Sequence, residues 1–274
     1  MNILKGLYHT IYHPRLIIIP LLVNVILTFI GIVGFYMGFT TFKFYNFDIY
    51  LPHGSSLIDP FQKSLTNNML LSSIATIVIQ LIKSYALSMY FGSMKCFLEG
   101  PDNTYSILKI APYYFDRMLR FSIIEFFISG VLFIFSNIFW PLALLGILIV
   151  VFYTLTPYII VLEDTTVRDA IAKSPKLFIK NLGTIFFIGL LTLILTYLIT
   201  KLPFTDKKLA YYIGTLFYSF IGTTMIFAVM NCLHKSIYTF SLPSKKVKKS
   251  RKLFPPLWIA ALLLPLLGAW MIIN

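Results

Sequence analysis

Charged residues are scarce in this sequence: Asp, Glu, Lys and Arg make up 12% of its 274 residues. Soluble domains usually carry about twice that share. Acids are the rarer sign, ten against 23 Lys and Arg. Cysteine occurs only twice, as Cys96 and Cys232, both near the ends of apolar runs expected to face a reducing compartment. Two such isolated thiols do not make a disulfide framework. Together these shortages exclude a water-soluble globular enzyme, a disordered chain and a disulfide scaffold.

Catalytic signatures are missing as well. There is no G-x-x-x-x-G-K-[ST] to cradle phosphates, no H-E-x-x-H for zinc and no G-x-S-x-G elbow. Asp appears in none of the long apolar runs, so an aspartate pair for intramembrane proteolysis is absent. His9, His13, His53 and His234 form no ligand cluster. His9 and His13 share a helical face, but a metal needs a third ligand. The expectation is a non-enzyme with no metal and no cofactor.

What is there is apolar. Hydrophobic residues reach 58% and mean hydropathy is +0.83. A span needs about 20 largely apolar residues to cross the hydrocarbon core. Seven segments qualify: Leu16–Phe42, Met69–Met94, Leu119–Trp140, Leu142–Leu162, Leu182–Leu202, Leu209–Leu233 and Phe254–Ile273. The expected fold is therefore all-α, a polytopic bundle of about seven spans in one integral membrane domain. It falls to six if the last segment does not cross. Residues 1–14 place Ile3, Leu7 and Ile11 on one side of a helix suited to the membrane interface. The first apolar run is too long for a cleaved signal peptide and lacks an A-x-A site.

The excess of positive charge reads as orientation rather than nucleic-acid binding. Residues 1–15 and loops 95–120, 163–181 and 234–252 hold seventeen Lys or Arg, against five in the opposite loops. The positive-inside rule then puts the amino terminus in the cytoplasm of a plasma-membrane protein and the carboxyl terminus outside. The one sizeable external loop, 43–68, is broken by Pro52, Gly54 and Pro60 and is too short for a catalytic domain. Lys245, Lys246, Lys248, Lys249, Arg251 and Lys252 form a basic run near the inner leaflet. At about 1 kcal/mol per residue it would bind anionic lipid headgroups, or an acidic protein partner.

Two cytoplasmic loops share a plan: an acid (Asp102, Asp164), a Thr (Thr104, Thr166), a short helical stretch, a proline (Pro112, Pro175), then aromatics and basics. Thr166 and Asp169 have the spacing of a capped helix start. The offset between the loops, 62 to 63 residues, would suit a parallel internal repeat, though elbows lying on lipid produce the same pattern.

The stretch Tyr85–Leu198, above all TPYIIVLEDTTVRDAIAKSPKLFIKNLGTIFF, resembles uncharacterised bacterial multi-pass proteins and the membrane domain of some glycerophosphodiester phosphodiesterases. Its carriers are Glu163 and Asp164 at the end of a span, Ala170 to Ser174, and Lys180 before the next span. The metal-binding acids of the soluble phosphodiesterase domain are absent, so the resemblance implies no such activity. Residues 13–28, HPRLIIIPLLVNVILT, resemble the start of CysZ-type sulfate permeases.

Lys83 is the residue most in need of a reason. It sits eleven residues inside the second span, where a charge costs about 2.5 to 3.5 kcal/mol. Ser73, Thr76, Gln80 and Lys83 share a helical face, and the third span answers with Ser122, Glu125, Ser129 and Ser136. The stripes form a polar seam if the two spans pack antiparallel. A Lys83–Glu125 pair depends on the boundary of span two: ending at Lys95 leaves a gap of about 10 Å, ending at Gly92 brings the pair within reach. Such a pair either fastens two helices or lines a polar path. Gly34 and Gly38 form G-x-x-x-G after Gly31, suited to close helix packing or a homo-oligomer seam. Pro20, Pro141 and Pro157 mark kinks. The functional expectation is a pore or carrier for a small, anionic solute, with a membrane scaffold or assembly factor as the competing class.

Overall fold

Proline and polar residues set the helix ends in the computed structural model, which describes residues 2–36, 69–99, 107–138, 146, 149, 151–200, 207–238 and 255–273. Pro14 has no N–H to donate, and its carbonyl starts a new helix by accepting from Ile17 and Ile18. It divides α1 (Asn2–Tyr12) from α2 (Arg15–Tyr36), which meet at 74°. Seven more helices are described: α3 (Met69–Glu99), α4 (Ile107–Ile138), α5 (Thr156–Leu162), α6 (Val167–Lys180), α7 (Leu182–Thr200), α8 (Lys207–Ile237) and α9 (Pro255–Ile273). No strand occurs among the described residues, and the fold is all-α.

Two helical stretches, Leu182–Ile199 of α7 and Tyr212–Ile237 of α8, are long and apolar enough to cross a membrane; the bent pair Ile3–Tyr12 and Arg15–Ile26 is a third candidate. The expected spans Met69–Met94, Leu119–Trp140 and Phe254–Ile273 fall on α3, α4 and α9 with different ends. Of Leu142–Leu162 only the short α5 and a few residues before it are described, the rest lying outside the described residues. Helix α4 begins twelve residues before the expected Leu119, so the stretch after Pro112 runs unbroken into the helix. In the second of the two similar stretches, 163–181, the chain does break. Asn181 turns its side-chain amide back onto the Leu177 carbonyl, 2.9 Å away, and closes α6. The two loops of similar sequence therefore do not fold alike.

Helix α8 is the centre of the bundle, packing against α1, α2, α3, α5, α7 and α9. Of its apolar stretch 67% is buried, against 17% of that in α7, which leans on α8 from outside. The main core joins α3, α4 and α5 through Tyr90, Phe91, Met118 and Ile159 to Phe227 of α8. A second cluster joins Ile17 and Leu21 of α2 to Ala261 of α9.

Helix α1 packs across α8 rather than presenting all of its apolar face outward. Gly6 and Thr10 are its buried positions, and Thr224 and Ala228 oppose them. Both pairs are small residues four apart, the pattern that lets helices approach closely. A Cβ on Gly6 would come within 2.4 Å of the Thr224 carbonyl oxygen. Trp258 of α9 fixes the far end of α1 by donating its indole N–H to the Ile11 carbonyl at 3.1 Å. Gly31 and Gly34 fall within α2, whereas Gly38 lies outside the described residues.

Candidate functional site

The seam is set by a glycine. Helices α3 and α4 pack more extensively than any other described pair. At Gly92 a Cβ would lie 2.2 Å from Ile110 and 3.2 Å from Tyr114, so only hydrogen allows the approach. That contact fixes the antiparallel register. Nine residues back from Gly92 is Lys83; nine residues on from Ile110 and Tyr114 are Leu119 and Ile123. Glu125 then lies two to six residues beyond the point opposite Lys83, about 3 to 9 Å along the axis. Long side chains bridge that distance, and Glu125 is near enough to act on Lys83 electrostatically. This offset along the axis is smaller than the gap of about 10 Å that a span ending at Lys95 would leave.

Around this pair Ser122 is buried and Gln80 is half-buried. Ser129 follows one turn after Glu125 on α4. Toward its carboxyl end α3 continues with buried Ser84 and Ser88, whose hydroxyls donate to the Gln80 and Ser84 carbonyls. Such back-bonding satisfies the donor and leaves lone pairs facing the interior. Tyr90 reaches across to α8 and donates to the Thr223 hydroxyl at 2.9 Å. Phe91 then closes the stripe, edge-on to Tyr158 at 4.8 Å.

Beyond Phe91 lies a second polar centre. Lys95 donates to Asp164 Oδ2 at 3.1 Å and to the Tyr114 hydroxyl at 3.3 Å. Arg117 donates to Asp164 Oδ1 at 3.2 Å. Glu99 stands 3.8 Å from Lys95. Three separate parts of the chain meet here: α3 supplies Lys95, α4 supplies Tyr114 and Arg117, and the turn after α5 supplies Asp164. Asp164 takes a left-handed conformation, φ 55°, just past the end of α5. Burial alone would raise its carboxyl, but the bond and charge of Lys95, with Tyr114 and Arg117, outweigh that and hold it below its ordinary range.

Neighbouring polar contacts tie the same end together. Glu163 pairs with Lys173 of α6. Tyr238 donates to the Leu162 carbonyl at 2.7 Å. Asn181 donates to the Ser236 hydroxyl at 3.1 Å. Thr166 caps α6 by accepting from the Asp169 N–H, and Ser174 anchors it on the Phe152 carbonyl.

Of the sequence candidates, the structure brings Lys83 within electrostatic reach of Glu125, and Gln80 and Ser122 lie three residues before them on the same two helices. The basic run Lys245–Lys252 lies outside the described residues. The Lys95–Asp164–Arg117 centre was not anticipated. Its cations were counted only toward orientation, although an acid ending one span and cations ending two others were a visible signal. Among the described residues no three His, Cys, Asp or Glu are grouped to hold a metal. What fold and site define is an all-helical protein with helices apolar enough for a membrane and a polar seam through its best-packed hairpin. No known family model, curated protein or solved structure matches the chain.

Proposed function

We propose that the chain is a seven-span plasma-membrane protein, amino terminus inside and carboxyl terminus outside, that passes a small anionic solute along the α3–α4 seam. The observation carrying this reading is the nearness of Lys83 to Glu125 on the most extensively packed helix pair, with Ser84, Ser88 and Ser122 buried on the same two helices. Lys83 lies twelve residues outward from Lys95, about 18 Å along the helix. Charges at such depth are expensive in hydrocarbon and mark ion and solute pathways. In this reading Lys83 attracts the anion, Glu125 balances Lys83 between passages, and Ser84 and Ser88 turn their hydroxyls from the Gln80 and Ser84 carbonyls to donate to the solute. Phe91 against Tyr158 closes the path on the inner side.

The test is solute efflux from liposomes carrying the purified protein and loaded in turn with chloride, acetate or sulfate. Wild type should release one of these. Lys83→Met should abolish release while leaving thermal unfolding in detergent unchanged. Undiminished flux in Lys83→Met overturns the pathway. No flux of any anion from folded wild type, with Lys83→Met losing stability, supports the scaffold reading instead.

A further inference from the structure

The inner polar centre has the form of a ligand site already filled. Lys95 and Arg117 each hold a different oxygen of one carboxylate, at 3.1 and 3.2 Å. Tyr114 buttresses both: its hydroxyl accepts from Lys95, and its ring lies 6.0 Å from the guanidinium, whose other face meets Tyr113 at 5.4 Å. These groups stand on α3 and α4, two long helices locked at Gly92. Lys95 is only 9% exposed, held among packed side chains. The carboxylate comes differently. Asp164 is carried on a left-handed turn beyond α5, a helix of 7 residues, and its side chain is 41% exposed. Two cations on long helices thus face an acid on an exposed turn, just past a short helix buried in the core.

We propose that Lys95, Arg117 and Tyr114 form an oxyanion-binding site, occupied here by Asp164 as a tethered stand-in for a carboxylate, sulfate or phosphate group. An arriving oxyanion offers the same two oxygens and displaces the Asp164 side chain, while Ile159–Leu162 stay packed in the core. Charge balance requires that an anion replace Asp164 when it leaves. Lys95, Arg117 and Glu99 leave one net positive charge once Asp164 withdraws. An uncompensated charge in a poorly hydrated place is costly until an anion returns. The site rests on the carrier reading only in making this centre the inner mouth; binding itself needs no flux.

Asp164→Gly is the informative variant, because glycine adopts φ 55° readily and removes only the carboxylate. Asp164→Asn serves if the glycine variant does not fold, since Asn also tolerates that conformation. The full-length protein is titrated with sulfate, in detergent and in phosphatidylcholine nanodiscs, by calorimetry and thermal unfolding. Asp164→Gly should bind sulfate at least tenfold more tightly than wild type and recover its lost melting temperature as sulfate rises. Adding Arg117→Gln to it should remove both effects. Equal affinity in wild type and Asp164→Gly, or binding that survives Arg117→Gln, overturns the site. A third arm uses nanodiscs containing phosphatidylglycerol in sulfate-free buffer. Recovery there, with none from sulfate, replaces the soluble oxyanion by a lipid headgroup and overturns displacement by solute. Sulfate binding without any efflux sinks the carrier reading and leaves the site standing.

Discussion

Lys95 is the one ionised side chain counted as buried among the described residues, and it is tolerated because its charge is met on two sides. Removing one member of such a pair costs more than the pair itself contributes, since the other is left poorly solvated. Asp164 supplies a pH dependence whose direction is fixed by its environment. Lys95, Tyr114 and Arg117 more than offset the upward effect of burial, so its folded-state carboxyl titrates below the unfolded value. Its contribution is therefore fully present above about pH 4 and is lost as pH falls through the folded value. Melting curves in detergent between pH 6 and pH 3 should show wild type losing stability in the acid range and Asp164→Asn losing less. Parallel losses would assign the acid sensitivity elsewhere. Neither the pairing nor the left-handed turn was legible in sequence. Lys95 and Asp164 are separated by 69 residues, and nothing local announces a partner that distant. Lys83 was legible because a charge amid apolar residues needs no partner to be noticed. Its register against Glu125 hung on Gly92, whose meaning depends on what stands opposite.

At the scale of the helix, the existence of elements was readable and their contacts were not. Apolar runs placed α2, α3, α7, α8 and α9 to within a few residues at most of their ends, since hydropathy senses length. It does not sense small residues. The amino-terminal helix was read from Ile3, Leu7 and Ile11, which are only half-buried, whereas Gly6 and Thr10 make the close approach to α8. The available signal was their four-residue spacing, repeated by Thr224 and Ala228. Two glycines separate packing from propensity. At Gly6 the obstacle is a backbone oxygen 2.4 Å from the added carbon, which no rotamer change removes. Gly6→Ala should cost about 1 to 3 kcal/mol and raise amide hydrogen exchange across residues 2–12. At Gly183 of α7 nothing lies within 4 Å. Gly183→Ala should be neutral or stabilise by up to about 1 kcal/mol through helix propensity. If both variants melt alike, the contact between α1 and α8 is not what holds α1.

The whole molecule distributes its apolar surface unevenly, and that asymmetry bears on its solvent. Helix α8 hides most of its apolar side chains in the bundle, while α7 leaves Phe186, Phe187, Leu190 and Ile194 open at 47 to 68% exposure. In water a contiguous apolar face of this kind drives association. In a bilayer it is the ordinary surface of a peripheral span, whose backbone bonds are all internal. Helix α6, immediately before it, turns Arg168, Lys176 and Lys180 outward. In the orientation proposed above, the boundary between basic α6 and apolar α7 falls at the level of the inner headgroups. Nitroxide labels at Phe186, Leu190 and Ile194 in reconstituted protein measure this directly, because oxygen partitions into hydrocarbon and a nickel chelate stays in water. All three should be accessible to oxygen and shielded from nickel, with the reverse at Lys176. Nickel access along α7 would remove it from the membrane and lower the number of spans. Shielding from both reagents would mean that a second copy of the chain covers α7, making the exposed face an oligomer seam.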